Sequence, residues 1–174
     1  STELRVRLGE EQADALRRDH DELLRVAVTE HGGTVVKGLG DGIIAMFDSA
    51  SDAVSAAVAV QQAAYAHARA NPDQPLDIRI GLSGGDVTVE GGDVFGTPVI
   101  EASRLCAAAT GGQILAAELV RLLARGRGGH VFTAGGEREL KGLPEPVPVA
   151  IVGWEPPELA TAAVPFPARL SPAA

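Results

Sequence analysis

The chain has 174 residues, with 15 Lys and Arg against 23 Asp and Glu, a formal charge of −8. This balance disfavours nonspecific binding to nucleic acid, because little positive charge is free to displace counterions. At 45% hydrophobic and 22% charged residues, the chain is long and apolar enough for one packed domain rather than a disordered polymer.

Aromatic residues are only 3%, so the core is expected to be Ala, Val, Leu and Ile. From Glu11 to His31 the apolar positions Ala13, Leu16, Leu23, Leu24, Ala27 and Val28 fall on one helical face, and Gly32-Gly33 stops the helix. Thr34 to Leu39 and Ile43 to Phe47 read as two strands of a hairpin around Gly40-Asp41-Gly42. Ser49 or Ser51 caps a second helix that reaches Ala70 before Asn71-Pro72. Leu76 to Leu82 alternates as a strand does, and Asp86 to Glu90 is a second strand after a glycine pair. A helix over Thr97 to Ala109 tolerates Pro98 in its first turn. Gln113 to Ala116 is a short strand, Glu118 to Arg125 a short helix, and His130 to Val152 a hairpin or meander. After Trp154 five of the last twenty residues are Pro, which marks 155–174 as a Pro/Ala-rich tail or linker. No apolar stretch of about 18 residues lacks charge or Gly, so no membrane span is expected. The first ten residues have no apolar centre, so no signal peptide is expected. The single Cys106 excludes an internal disulfide and fits a reducing, cytoplasmic setting.

The glycine cluster Gly38-Leu39-Gly40-Asp41-Gly42 invites a nucleotide reading, but an apolar strand follows it. A dinucleotide loop needs a helix there, so that the helix N-terminus meets the pyrophosphate. A P-loop needs Gly-Lys-Ser/Thr, and the dipeptide Gly-Lys is absent. Taken alone, the cluster is a hairpin tip bearing a carboxylate. The four histidines, His20, His31, His67 and His130, show no paired metal-ligand spacing.

Several blocks together are far more specific. His31-Gly-Gly-Thr-Val-Val-Lys-Gly-Leu-Gly-Asp-Gly-Ile-Ile-Ala-Met-Phe47, Ile78-Arg-Ile-Gly-Leu-Ser-Gly-Gly-Asp-Val87 and Gly92-Asp-Val-Phe-Gly-Thr-Pro-Val99 occur in order. Ala102-Ser-Arg-Leu105, Gly111-Gly-Gln-Ile-Leu115 and Glu139-Leu-Lys-Gly-Leu143 follow. In order and spacing they resemble the class III adenylate/guanylate cyclase catalytic domain across 1–154. The resemblance implies an α+β fold: a ferredoxin-like βαββαβ cyclase homology domain with extra C-terminal strands. It also implies ATP as substrate, Mg²⁺ or Mn²⁺ as cofactor, and a head-to-tail homodimer with each active site between two copies. By matching positions, Asp41 is the metal-binding carboxylate at the hairpin tip. Lys37 and Asp93 are the purine-selecting pair, in the form that implies adenine. Arg104 is the arginine that stabilises the transition state at the α-phosphate, and Lys141 binds the terminal phosphates.

Two departures accompany the resemblance. The family places an Asn, working with the arginine, where this chain has Ile100, and loss of one such donor costs roughly 10²- to 10³-fold in other systems. Glu101 points to another side of the helix and would repel phosphate, so it is no substitute. The family also begins with a strand of pattern apolar-x-Asp-Ile/Val-x-Gly-Ser-Thr carrying the first metal Asp. This chain opens at Ser1-Thr2-Glu3, so the first strand is expected to be missing and two inner strand edges unpaired. The chain as written is therefore expected to show little activity and to be a piece of a longer protein, with a further domain after the tail. Two functions stay open: an adenylate cyclase forming 3′,5′-cyclic AMP and pyrophosphate, or a degenerate module that dimerises and binds nucleotide without catalysis.

Overall fold

The computed structural model describes residues 2, 3, 6 and 9–157. The expected tail therefore lies outside the described residues beyond position 157. Helix α1 spans Glu10–Glu30 and buries Ala13, Leu16, Leu24, Ala27 and Val28, the face that the periodicity marks. It ends where Gly32 adopts φ 76° and the amide of Gly33 bonds back to the Val28 carbonyl at 2.9 Å. Left-handed backbone at the end of a helix is glycine's usual place.

Strands β1, Thr34–Gly38, and β2, Ile43–Met46, pair antiparallel, with a bulge between Val35 and Lys37. Helix α2 spans Ala50–Ala70, and Ser49 rather than Ser51 is its cap, its hydroxyl accepting from the Asp52 amide at 3.2 Å. Small residues on the inner face of α2 let it lie close to α1, and Leu24, Ala27, Val60, Ala64 and Ile78 form a core between them.

The larger sheet has the order β3-β6-β8-β7, built from β3 Ile80–Leu82, β6 Ile114–Ala117, β8 Val147–Gly153 and β7 Val131–Arg138. β3 runs parallel to β6, and the other two pairings are antiparallel. β4, Thr88–Glu90, and β5, Asp93–Phe95, form a separate hairpin. Helices α3, Thr97–Ala108, and α4, Glu118–Ala124, complete the described elements. Side chains of β6 alternate between two cores, as a pleat requires. Ile114 and Ala116 meet α2 and α4 through Val54, Ala57, Val120 and Ala124. Leu115 and Ala117 meet Leu105 of α3, Leu140, Val147 and Val149. The expected α+β class is therefore found.

Two strand expectations need correction. The strand expected over Leu76–Leu82 is regular only over Ile80–Leu82. Ile78 is buried, which produces the alternation. Its carbonyl accepts instead from the Gln61 side chain at 2.9 Å and the Gly112 amide at 2.8 Å. The strand expected over Asp86–Glu90 shortens to Thr88–Glu90 and gains an unforeseen partner in β5. Among the described residues no strand precedes α1, and β2 and β3 each pair on one side only. Ile43 of β2 and Ile80 of β3 nonetheless pack on the same core of α1 and α2.

One glycine fixes how the sheet meets α3. At Gly81 a Cβ would overlap the Ala102 carbonyl and the Cys106 amide, so strand and helix touch backbone to backbone.

Candidate functional site

The hairpin tip is a four-residue loop closed by Leu39 N–H donating to the Gly42 carbonyl at 2.8 Å, with Gly40 at φ 87°. Asp41 sits exposed on that tip. Two residues before the loop, β1 places Lys37 against β5, where its Nζ donates to Asp93 Oδ2 at 2.8 Å. Both side chains are partly exposed, at 39% and 32%, so the pair is open to a ligand. Asp93 Oδ1 also accepts from the Val94 amide at 2.7 Å. The Lys37 ammonium first, and this amide second, hold the Asp93 carboxyl below the usual carboxylate range.

A second pair lies at α3. Arg104 Nε donates to the Lys141 carbonyl at 2.9 Å. Lys141 is exposed on the β7–β8 connection, between buried Leu140 and Gly142 at φ 88°. A turn from Leu143 N–H to the Leu140 carbonyl, 3.1 Å, shapes this loop. Ile100 stands one turn before Arg104, 45% exposed and with no hydrogen-bonding group to offer. Glu101 accepts from Ser83 Oγ at 2.8 Å, beside the end of β3. Its carboxylate is thus engaged by Ser83, and among the described residues it makes no hydrogen bond or ion pair with Arg104.

The structure thus joins Lys37 to Asp93 and Arg104 to Lys141. Among the described residues no hydrogen bond or ion pair joins these two pairs, or Asp41 to either. Asp41 instead acts through space on His20 and Cys106. Burial pushes His20 down while Asp21 and Asp41 oppose it, and burial pushes the Cys106 thiol up with Asp41 adding to the effect against Arg79.

Whether these residues suit a divalent ion is a question of donors. No three His, Cys, Asp or Glu side chains converge among the described residues. Asp41 offers one hard, exposed oxygen donor. That fits Mg²⁺ or Mn²⁺ held largely by substrate phosphates and water, and does not fit a cage built by this chain alone.

Sequence reasoning did not single out the Ser83–Glu101 contact, nor the arginines of Arg121 to His130, which lie on the other face of the sheet. The second group is visible in the sequence as Arg125-Gly-Arg-Gly-Gly-His130. No helix among the described residues is long and apolar enough to cross a membrane.

Comparison with known proteins gives a consistent result. The Adenylate and Guanylate cyclase catalytic domain matches residues 2–152. A Rhizobium meliloti protein is 36% identical over 140 residues, 80% of this chain and 24% of its own length. The Streptomyces coelicolor adenylate cyclase is 34% identical over 125 residues, 69% of this chain and 32% of that protein. An adenylate/guanylate cyclase/hydrolase from Silicibacter pomeroyi superposes with a TM-score of 0.73 at 31% identity, covering 87% of this chain and 88% of that one. The chain therefore spans about a quarter to a third of these two relatives' length.

Proposed function

This chain belongs to the adenylate and guanylate cyclase catalytic domain family, and from that membership we propose that its full-length protein converts ATP to 3′,5′-cyclic AMP and pyrophosphate. The observation that carries the reading is the Lys37–Asp93 ion pair, 2.8 Å, which holds an ammonium donor and a carboxylate acceptor side by side. Adenine presents an amino donor next to a ring-nitrogen acceptor, and guanine presents acceptor and donor in the reverse order. Asp93 would accept from the amino group and Lys37 would donate to the ring nitrogen.

In the reaction the ribose 3′-oxygen bonds to the α-phosphorus and loses its proton to water. The bond from the α-phosphorus to the bridging oxygen breaks, and pyrophosphate leaves with the electron pair. Arg104 would donate to the α-phosphoryl oxygens as their charge develops, and Lys141 would hold the leaving phosphates. Asp41 would hold a divalent ion, which when bound supplies Lewis-acid stabilisation of the phosphoryl oxygens.

Asp41 makes no hydrogen bond or ion pair with Lys37, Asp93 or Arg104 within one chain. That supports a head-to-tail homodimer in which Asp41 of one protomer faces Lys37, Asp93 and Arg104 of its partner. The lone free Cys106 suits a cytoplasmic setting.

A second reading, a nucleotide-binding dimerisation module without turnover, is favoured by Ile100, which puts an apolar side chain beside Arg104. The test is cyclic AMP and pyrophosphate production from ATP by the full-length protein with Mn²⁺, with GTP as the comparison. Cyclic AMP from ATP in excess over cyclic GMP from GTP is the expected result. ATP binding without any cyclic product would establish the module instead.

A further inference from the structure

Arg121, Arg125, Arg127 and His130 fall within ten residues that contain no Asp or Glu, in a chain of net charge −8. Together with Phe132 they line an open cleft of about 520 Å³. Arg121 is already engaged by Glu118, with Nε 2.8 Å from Oε1 and Nη2 on the same oxygen. Arg125 and Arg127 are exposed and have no carboxylate partner among the described residues. Two full positive charges are therefore left facing solvent without a carboxylate partner among the described residues.

The loop that carries them is held in place. His130 Nε2 lies 3.1 Å from the Ser51 carbonyl and 3.3 Å from both the Ser51 and Ser55 hydroxyls. Donating Nε2–H to that carbonyl pins the loop onto the first turns of α2, whose N-terminal end adds positive potential. Gly126, Gly128 and Gly129 have φ of 86°, 74° and 61°, which bends the chain tightly between the arginines and the histidine. His130 and Phe132 also meet edge to face, ring centroids 6.4 Å apart. The arginines are thus mounted on an anchored turn rather than on a free tail.

The cleft is separate from the cyclase residues. α4 packs through Val120 and Ala124 on the face of β6 formed by Ile114 and Ala116. Leu105 and Leu140, which carry Arg104 and Lys141 beside them, pack on the opposite face with Leu115 and Ala117.

We propose that this cleft is a second binding site, for a small anion bearing two or more phosphate groups. All of its strong cations are guanidinium forks, which match phosphate oxygens two at a time, and none is a lysine. Its volume lies within the range of small-molecule sites and exceeds the needs of a single phosphate. The overall acidity of the chain argues against a nucleic acid. The site does not depend on the cyclase reading, although pyrophosphate, the product in that reading, is its simplest ligand.

The experiment is calorimetric titration of the chain with inorganic pyrophosphate, and separately with orthophosphate, at low and high NaCl. Saturable pyrophosphate binding, tighter than that of orthophosphate, is expected. R125A/R127A should weaken it at least about tenfold and R125K/R127K several-fold, both in wild type and in a K141A background that removes the lysine proposed to hold the leaving phosphates, while R18A, exposed on α1, leaves it unchanged. Both pairs are exposed, and equal melting temperatures will show that the variants are folded. Absence of saturable binding, insensitivity to R125A/R127A in the K141A background, or an equal loss in R18A would each overturn the proposal. So would arginine-dependent capture of the chain by phosphoinositide-containing vesicles when pyrophosphate does not bind.

Discussion

Lys37 and Asp93 meet at 2.8 Å although 56 residues separate them in sequence. The contact exists because β1 and the β4–β5 hairpin lie side by side. Substituting Asp93 with Ala is expected to lower kcat/KM for ATP roughly 10- to 100-fold in the full-length protein, the scale of a lost hydrogen bond to a charged group. GTP turnover should fall less. Steady-state kinetics with both nucleotides check this, and equal losses would remove the purine-selecting role.

The same pair sets a pH dependence. Its carboxyl is held below the usual range in the folded chain. Its stabilising contribution is therefore present above the ordinary carboxylate pKa and is lost as pH falls through the lowered one. The melting-temperature difference between wild type and D93N should be constant near neutrality and shrink only in strong acid. A difference that already fades near pH 6 would contradict it.

Arg104 and Ile100 separate charge stabilisation from its missing helper. R104A is expected to lower turnover by roughly 10²- to 10³-fold with a smaller change in KM. I100N should raise turnover in the full-length protein while barely moving the melting temperature, since Ile100 is half exposed. No change in turnover would show that Ile100 is not the limiting departure from the family.

Gly81 offers a stability test. G81A puts a methyl group into the Ala102 carbonyl and the Cys106 amide, both backbone. The expected loss is at least about 2 kcal/mol by overpacking, read from urea denaturation. Stability within about 0.5 kcal/mol of wild type, the scale of a neutral surface change, would mean that α3 and β3 can part without cost.

Ser49 and Ser51 predict opposite kinds of loss. S49A removes a cap hydrogen bond and should cost about 1 kcal/mol. S51A acts at a buried residue beside His130 and should loosen the 125–130 loop, read as faster amide exchange there. Equal protection of that loop in wild type and S51A would show that the Ser51 hydroxyl does not hold it.

The long helices were legible in the sequence because α1 and α2 repeat apolar residues with helical period and stop at Gly32 and Asn71. β5 was not, because three residues between glycines carry too little pattern. Leu76 to Ile78 misled for a physical reason: burial set the alternation, while Gln61 and Gly112 took the backbone bonds of Ile78. For the candidate site, the residue types, and Lys37 with Asp93 as a pair, could be placed by resemblance to a family, but the other contacts could not. Arg104 reaches Lys141 across 37 residues, and His130 reaches Ser51 across 79. Such contacts depend on how strands and helices stack, which no local pattern encodes.

Backbone contact at Gly81 has a mechanical consequence for Arg104. A helix cushioned on long side chains can rock, whereas α3 rests directly on β3 with no compressible layer between. Ser83 and Glu101 add a tether at the strand's end. The guanidinium therefore rides on the sheet as on a rigid lever, and on the proposed reading any slack for a ligand would fall to the Leu140–Leu143 turn that carries Lys141.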